Sequence, residues 1–195
     1  MRGEERKASK VFQQFTVSPE VVIRPCNRND LTNLEWFGMF TRHREIIRRA
    51  FERQEKGETL MLLAVIGGWP VGQVWIDLAA KKDESTGILW ALRVHPFLQK
   101  QRIGTHLIEA AENILSEQEF DYAEIGVEKR DEHVRRWYER LSYRLKESIQ
   151  SEYSFTTPDG SLVHVPVDQW ILRKELAHET NQISAQGVSF PRRME

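Results

Sequence analysis

Apolar and polar positions along the chain alternate in blocks whose period changes from two to about three and a half, which predicts a mixed β/α order. Residues 21–25 form a short extended run. Asn27, Arg28, Asn29 and Asp30 follow it, a cluster able to cap a helix over 31–37. Phe40, His43, Ile47, Ala50 and Phe51 lie at helical spacing and predict a second helix over about 41–54. Residues 60–66 are almost continuously apolar, then come Gly67, Gly68, Trp69 and Pro70, then an alternating run over 71–78. Two apolar runs split by a Gly/Pro cluster predict an antiparallel hairpin. Residues 79–86 are polar and read as a loop. A strand over 88–94, a helix over 105–117, a strand over 122–127 and a helix over 131–141 follow. A long hairpin, 143–155 and 162–174, turns at Thr157, Pro158, Asp159 and Gly160.

The predicted order is β-α-α-β-β-β-α-β-α-β-β, with hairpins on one side and a β-α-β passage in the middle. Right-handed crossover puts the helix of that passage on one face of the sheet. Residues 1–16 are polar and predict a flexible arm, 17–175 a single domain, and 176–195 a tail without periodicity.

Composition narrows the class. The 195 residues are 40% hydrophobic and 29% charged, and 28 Lys and Arg nearly balance 29 Asp and Glu for a net charge of −1. Such a balance gives no overall attraction for nucleic acid or an anionic membrane. One cysteine, Cys26, leaves no intrachain disulfide or cysteine cluster and fits a reducing cytoplasm. The first ten residues lack the apolar run of a signal peptide, and no window has the length of a membrane span. Neither HxH nor HExxH spacing occurs, so His106, His133 and His164 read as surface or hydrogen-bonded groups and no metal is expected.

Candidate chemistry starts where the strand over 88–94 runs through a short loop into a helix. Backbone N–H groups of such a loop, with the positive end of the helix dipole, favour phosphate. A P-loop is excluded because Gly104 is not followed by Lys and Ser or Thr. Helix 41–54 carries Arg42, Arg44, Arg48, Arg49 and Arg53 on one side, either a solvated face or an entry surface for an anionic ligand. Tyr138 belongs to a stripe with Val134, Trp137 and Leu141, which a core-packing helix needs in any case.

Two segments together resemble the GCN5-related N-acetyltransferases. The run LRVHPFLQKQRIG, from Leu92 to Gly104, is similar to LxVxP followed by the family's pyrophosphate motif, Gln or Arg, two residues, Gly, one residue, Gly or Ala. Gln99 and Gly104 match, while Arg102 stands where the family has its first Gly. The run from Val127 to Tyr143 resembles the family's second pattern, with Asp131 in its Asn place, Val134 in its Ala place and Tyr138 as the shared tyrosine.

What this resemblance implies is an α/β, three-layer fold. Its central twisted sheet has about six or seven mixed, mostly antiparallel strands, helices on both faces, and a splay between the two central parallel strands. It also implies acetyl-CoA as co-substrate, bound by Leu92, Arg93, Val94, Gln99, Lys100, Gln101, Arg102, Ile103, Gly104, Thr105, Asp131 and Tyr138. The Val94 N–H would stabilise the oxyanion, and Tyr138 would protonate the leaving thiolate. Asp77, Glu124 and His95 are candidates for the base that accepts the amine's proton. Segments 30–58 and 150–165 would shape the acceptor pocket, where Glu35, Glu147, Glu152 and Asp159 would suit a cationic amine. The expected activity is acetyl transfer to a small amine or a peptide or protein amine by direct attack in a ternary complex, with no nucleic-acid or membrane partner and room for a homodimer. A catalytically silent acyl-CoA-binding module is the alternative reading.

Overall fold

The computed structural model describes residue 13 and residues 15–177. The arm and tail expected at the two ends lie almost wholly outside them. Seven strands form one sheet: β1 (Val22–Pro25), β2 (Thr59–Ile66), β3 (Trp69–Lys81), β4 (Thr86–Val94), β5 (Tyr122–Glu128), β6 (Arg144–Thr156) and β7 (Leu162–Glu175). Their order across the sheet is β1-β2-β3-β4-β5-β7-β6, and β4–β5 is the parallel pair. The helices are α1 (Arg44–Glu55), α2 (Ile103–Glu117) and α3 (Glu132–Arg140).

Central strands are buried on both faces, as continuous apolar runs require. In β2, Leu62 and Ala64 join the core beneath α2, with Leu107, Ile108, Ala111 and Leu115. Met61, Leu63 and Val65 face the other way, onto Ile47, Ala50 and Phe51 of α1. Tyr138 of α3 belongs to the α2-side core, so α2 and α3 cover one face and α1 the other. The β2–β3 hairpin turns at Gly67 and Gly68, both at positive φ.

The helix expected over 31–37 is absent. Residues 28–30 and 33–35 form separate single 3-10 turns, the first closed by a capping box between Asn27 and Asp30. Trp36, Phe37 and Gly38 then take φ of 45°, 56° and 92°, a left-handed run that no α-helix can continue. The segment instead arches over the α1 face and brings Phe40 to the end of β4, where the Arg93 guanidinium lies 4.0 Å from its ring centre.

Candidate active site

The β4–β5 ladder stops early. Thr86 to Leu89 pair with Tyr122 to Ile125, and no pair follows. Beyond that point β4 stays paired to β3, and β5 stays paired to β7 as far as Glu128. The facing edges of residues 90–94 and 126–128 therefore diverge.

A β-bulge in β4 contributes to this. Trp75 opposes Trp90 and Gln73 opposes Arg93, so β4 carries one residue more than β3 between those pairs. Ala91, inside the bulge, has φ of 52°. The Gln73 amide, 1% exposed, donates to the Ala91 carbonyl at 3.1 Å and satisfies an oxygen the bulge takes from the ladder. Past the bulge, His95 N–H donates to Val71 at 2.8 Å. By the alternation of a strand, the Val94 N–H points the opposite way, into the gap.

At the same end of the sheet the loop enters α2. Its backbone N–H groups from Lys100 to Thr105 have no hydrogen-bond partner among the described residues, as the open N-terminus of a helix leaves them. The side chain of Gln99 donates to the Val94 carbonyl at 3.2 Å and ties the loop to β4. Arg102 has φ of 63° and ψ of 3°, and Lys100 also has positive φ. Arg102 thus adopts the conformation for which the motif's Gly is suited. For an L-residue this costs roughly 1–2 kcal/mol. Arg102→Gly is accordingly expected to raise stability by about 1 kcal/mol in a denaturant titration.

Gly104 needs a different reason. A Cβ there would meet Val94 Cγ2 at 3.7 Å and the Trp137 ring at 3.8 Å, ordinary contacts, and its φ is not positive. The fold itself accepts alanine at this position, so any demand for glycine comes from what approaches the loop. These contacts also bring the end of β4, the start of α2 and α3 together.

Tyr138 is 2% exposed, with Trp137 and Tyr143 edge-on at 4.6 and 5.4 Å between ring centres. Its hydroxyl makes no hydrogen bond among the described residues, and burial holds its pKa well above that of an ordinary phenol. The group stays protonated at neutral pH. Asp131 caps the start of α3, where its carbonyl accepts from Val134 N–H at 2.9 Å.

Two of the expected bases lie elsewhere. Asp77 and Glu124 both stand level with Ile88, six residues from Val94 along β4, roughly 20 Å away at strand rise. Asp77 is forked by Arg53 at 2.8 and 3.2 Å and accepts the N–H groups of Ala79 and Ala80. Burial pushes its pKa up, but these bonds outweigh it and hold the carboxyl below its usual range. Glu124, 2% exposed, is ringed by Lys81 at 2.7 Å, Lys146 at 2.8 Å and Arg173 at 2.6 Å. Burial opposes ionisation there too, yet the three cations bring its pKa down to about 2. Both carboxylates bind cations at the closed end of the sheet and are poor proton acceptors.

Glu128, which the sequence reading passed over, ends β5 beside the gap. It shares the α1 side of the sheet with Glu124 and Gly126 by strand alternation. Its Oε1 accepts from Gln169 at 2.9 Å, and it makes no ion pair among the described residues. It also lines a cleft of about 600 Å³ with Lys129, Gln150, Val165 and Asp168.

Arg93 likewise faces the α1 side, whereas Leu92 and Val94 pack against the α2-side core. Segments 30–58 and 150–165 meet here: His43 of the first stacks on Phe155 of the second at 5.3 Å, and Arg42 lies 5.7 Å from the same ring. Burial, then the charges of Arg93 and Arg42, lower the pKa of His43, so its imidazole is neutral at pH 7. His95 packs on Trp36 at 5.5 Å. Three of the four acidic residues expected in the pocket are engaged or distant, and the fourth, Glu152, is exposed on β6 opposite Pro166 with no ion pair among the described residues. Glu35 holds Arg44 and Thr41, Glu147 faces Lys146 at 3.5 Å, and Asp159 sits in the hairpin turn.

Among the described residues no group of His, Cys, Asp or Glu could hold a metal ion, and no helix is long and apolar enough to cross a membrane.

Residues 28–143 match the sequence model of the acetyltransferase (GNAT) family. No curated protein matches the sequence. Among solved structures, the ribosomal-protein-S18-alanine N-acetyltransferase of Escherichia coli superposes with a TM-score of 0.63 at 15% identity, over 84% of this chain and 99% of that one. The PaiA N-acetyltransferase of Thermoplasma acidophilum, solved with coenzyme A, gives 0.60 at 15% identity over 80% and 99%. NAA60 of Arabidopsis thaliana, solved with acetyl-CoA, gives 0.60 at 19% over 80% and 98%. At these identities the likeness concerns the fold.

Proposed function

The chain belongs to the GNAT acetyltransferase family, and from that membership we propose that it transfers an acetyl group from acetyl-CoA to a primary amine by direct attack in a ternary complex. The observation that carries this reading is the divergence of β4 from β5 after Leu89 and Ile125, with the unpartnered amides of residues 100–105 beside it. An extended chain can enter such a gap as an added strand, and a diphosphate suits the amides at the start of α2. Two fold neighbours were solved with coenzyme A or acetyl-CoA, which supports the same occupant here.

Acetyl-CoA, when bound, supplies the acetyl group as a reactive thioester. Within this chain, the Val94 N–H is aimed to stabilise negative charge developing on a carbonyl oxygen in the gap. The Tyr138 phenol, kept protonated by its buried site, gives a proton to the departing thiolate. A primary amine reaches neutral solution protonated, with a pKa of about 10. Glu128 is the carboxylate beside the gap free to take that proton, directly or through water. The two reactants held together supply much of the remaining rate gain.

The test is acetylated product and stoichiometric CoA release across a panel of amines, with intersecting initial-rate lines when both substrates are varied. Parallel lines, or CoA release no faster than hydrolysis, contradict the proposal. Glu128→Gln is expected to lower kcat/KM about 100-fold at pH 7. For Gly104→Ala, stability should be unchanged or up to about 1 kcal/mol higher, since alanine favours the helix. Calorimetry should nevertheless show acetyl-CoA bound roughly tenfold more weakly, the extra methyl crowding the ligand.

A further inference from the structure

On the α1 side of the gap two basic side chains, Arg93 and Arg42, hold no carboxylate among the described residues. Arg93 is half-buried, and its guanidinium makes no hydrogen bond and no ion pair among the described residues. Every other half-buried arginine among them holds a carboxylate: Arg24 with Asp30, Arg53 with Asp77, Arg135 with Glu139 and Arg173 with Glu124. Arg93 lies over the face of Phe40, 4.0 Å from its ring centre, and the Tyr153 phenol is close enough for its charge to act on it, but neither supplies a carboxylate. Arg42, close enough for its charge to act on the same His43, also lacks a carboxylate. Nδ1 of His43 is buried with no partner. Phe40, Trp36 and Phe155 wall the space with aromatic rings. Removing a guanidinium from water without an anion is unfavourable, so this arrangement fits a site completed by its ligand.

We propose that the acceptor amine carries a carboxylate, which Arg93 grips bidentately with Arg42 beside it. The guanidinium fork matches a planar carboxylate. Since Arg93 adjoins Val94, whose N–H faces the reacting centre, the acid group lies within a few bonds of the reacting nitrogen. Short amino acids and their like are the substrate class, and polyamines are disfavoured by the local charge. The inference rests on the acetyltransferase reading and names the substrate of the same site.

The experiment has an activity arm and a binding arm. In the first, the protein amino acids and β-alanine are each compared with the corresponding carboxamide under saturating acetyl-CoA. The acid form is expected to exceed its amide at least tenfold in kcat/KM. Arg93→Met should bring that ratio near one, Arg93→Lys should restore part of it, and Arg42→Met should lower it several-fold. Amides acetylated as well as their acids, or a preference that survives Arg93→Met, overturn the proposal. So does a preference for 2-aminoethylphosphonate over β-alanine, which would assign the site to phosphonate or phosphate.

In the binding arm, benzoate and benzamide are titrated calorimetrically into protein saturated with CoA. Benzoate should bind saturably and at least tenfold more weakly to Arg93→Met, while benzamide should not distinguish the two proteins. Benzoate that fails to bind, or binds without regard to Arg93, overturns the proposal. If no amine is acetylated while benzoate binds through Arg93, the acetyltransferase reading fails and the carboxylate site stands.

Discussion

Tyr138→Phe is expected to lower kcat about 100-fold, the lower part of the range for a positioned general acid. The ring is held on all sides by the α2-side core, so the loss of one oxygen leaves the packing of Trp137, Tyr143 and α2 intact. The hydroxyl makes no hydrogen bond among the described residues, and removing it therefore orphans no buried partner. Stability should change by less than about 1 kcal/mol, and acetyl-CoA should bind within a few-fold of its normal affinity. A group whose pKa lies far above neutrality has no titration of its own near pH 7. The variant should thus lose rate at every pH from 6 to 9 instead of shifting the profile. Steady-state rates over that range, with calorimetric binding alongside, distinguish this from a tyrosine that merely packs, whose removal would leave kcat unchanged.

Glu124→Gln should destabilise the fold by about 3 kcal/mol, because removing a buried charge strands the cations arranged around it. Lys81, Lys146 and Arg173 reach this carboxylate from β3, β6 and β7, so it ties together strands distant in sequence at the closed end of the gap. The pH dependence follows. A carboxyl whose folded pKa is about 2, against 4.5 ordinarily, binds fewer protons in the folded state. Its stabilisation is fully present above about pH 5 and is lost as pH falls through 4.5 toward 2. Urea unfolding at pH 7 and pH 3 should show the wild type losing stability faster than Glu124→Gln. Equal slopes for the two proteins would contradict this role.

Most strands and the helices α1, α2 and α3 were legible in sequence to within a few residues, because period-two and helical patterns differ over those lengths. The loop into α2 was legible too, including the question Arg102 raised. Its φ of 63° shows an arginine holding a backbone state suited to glycine. The helix expected over 31–37 failed because Trp36 and Phe37 take left-handed angles that their side chains do not announce. Asp77 and Glu124 were misplaced for want of register: polar residues on central strands look alike until pairing sets them level with Ile88. The bulge at Ala91 has no signature in the hydrophobic pattern, and it matters most for the site. One extra residue reverses which face each later side chain takes. It turns Leu92 and Val94 toward α2 and sends Arg93 to the α1 side, whereas an unbroken alternation would put it with the α2-side core. Glu128 emerged by the same route, from the end of a strand whose far edge the bulge helps to leave open.

The central claim is that the amides around the start of α2 and the open edge of β4 receive acetyl-CoA, and amide-resolved NMR during a titration with acetyl-CoA measures it directly. Saturable shifts should centre on Lys100 to Thr105, Val94 and the 126–128 edge, with Arg102 and Gly104 among the largest. A saturable response that bypasses these amides and maps to the hairpin cleft around Gln150 and Asp168, or no response at all, would contradict the account.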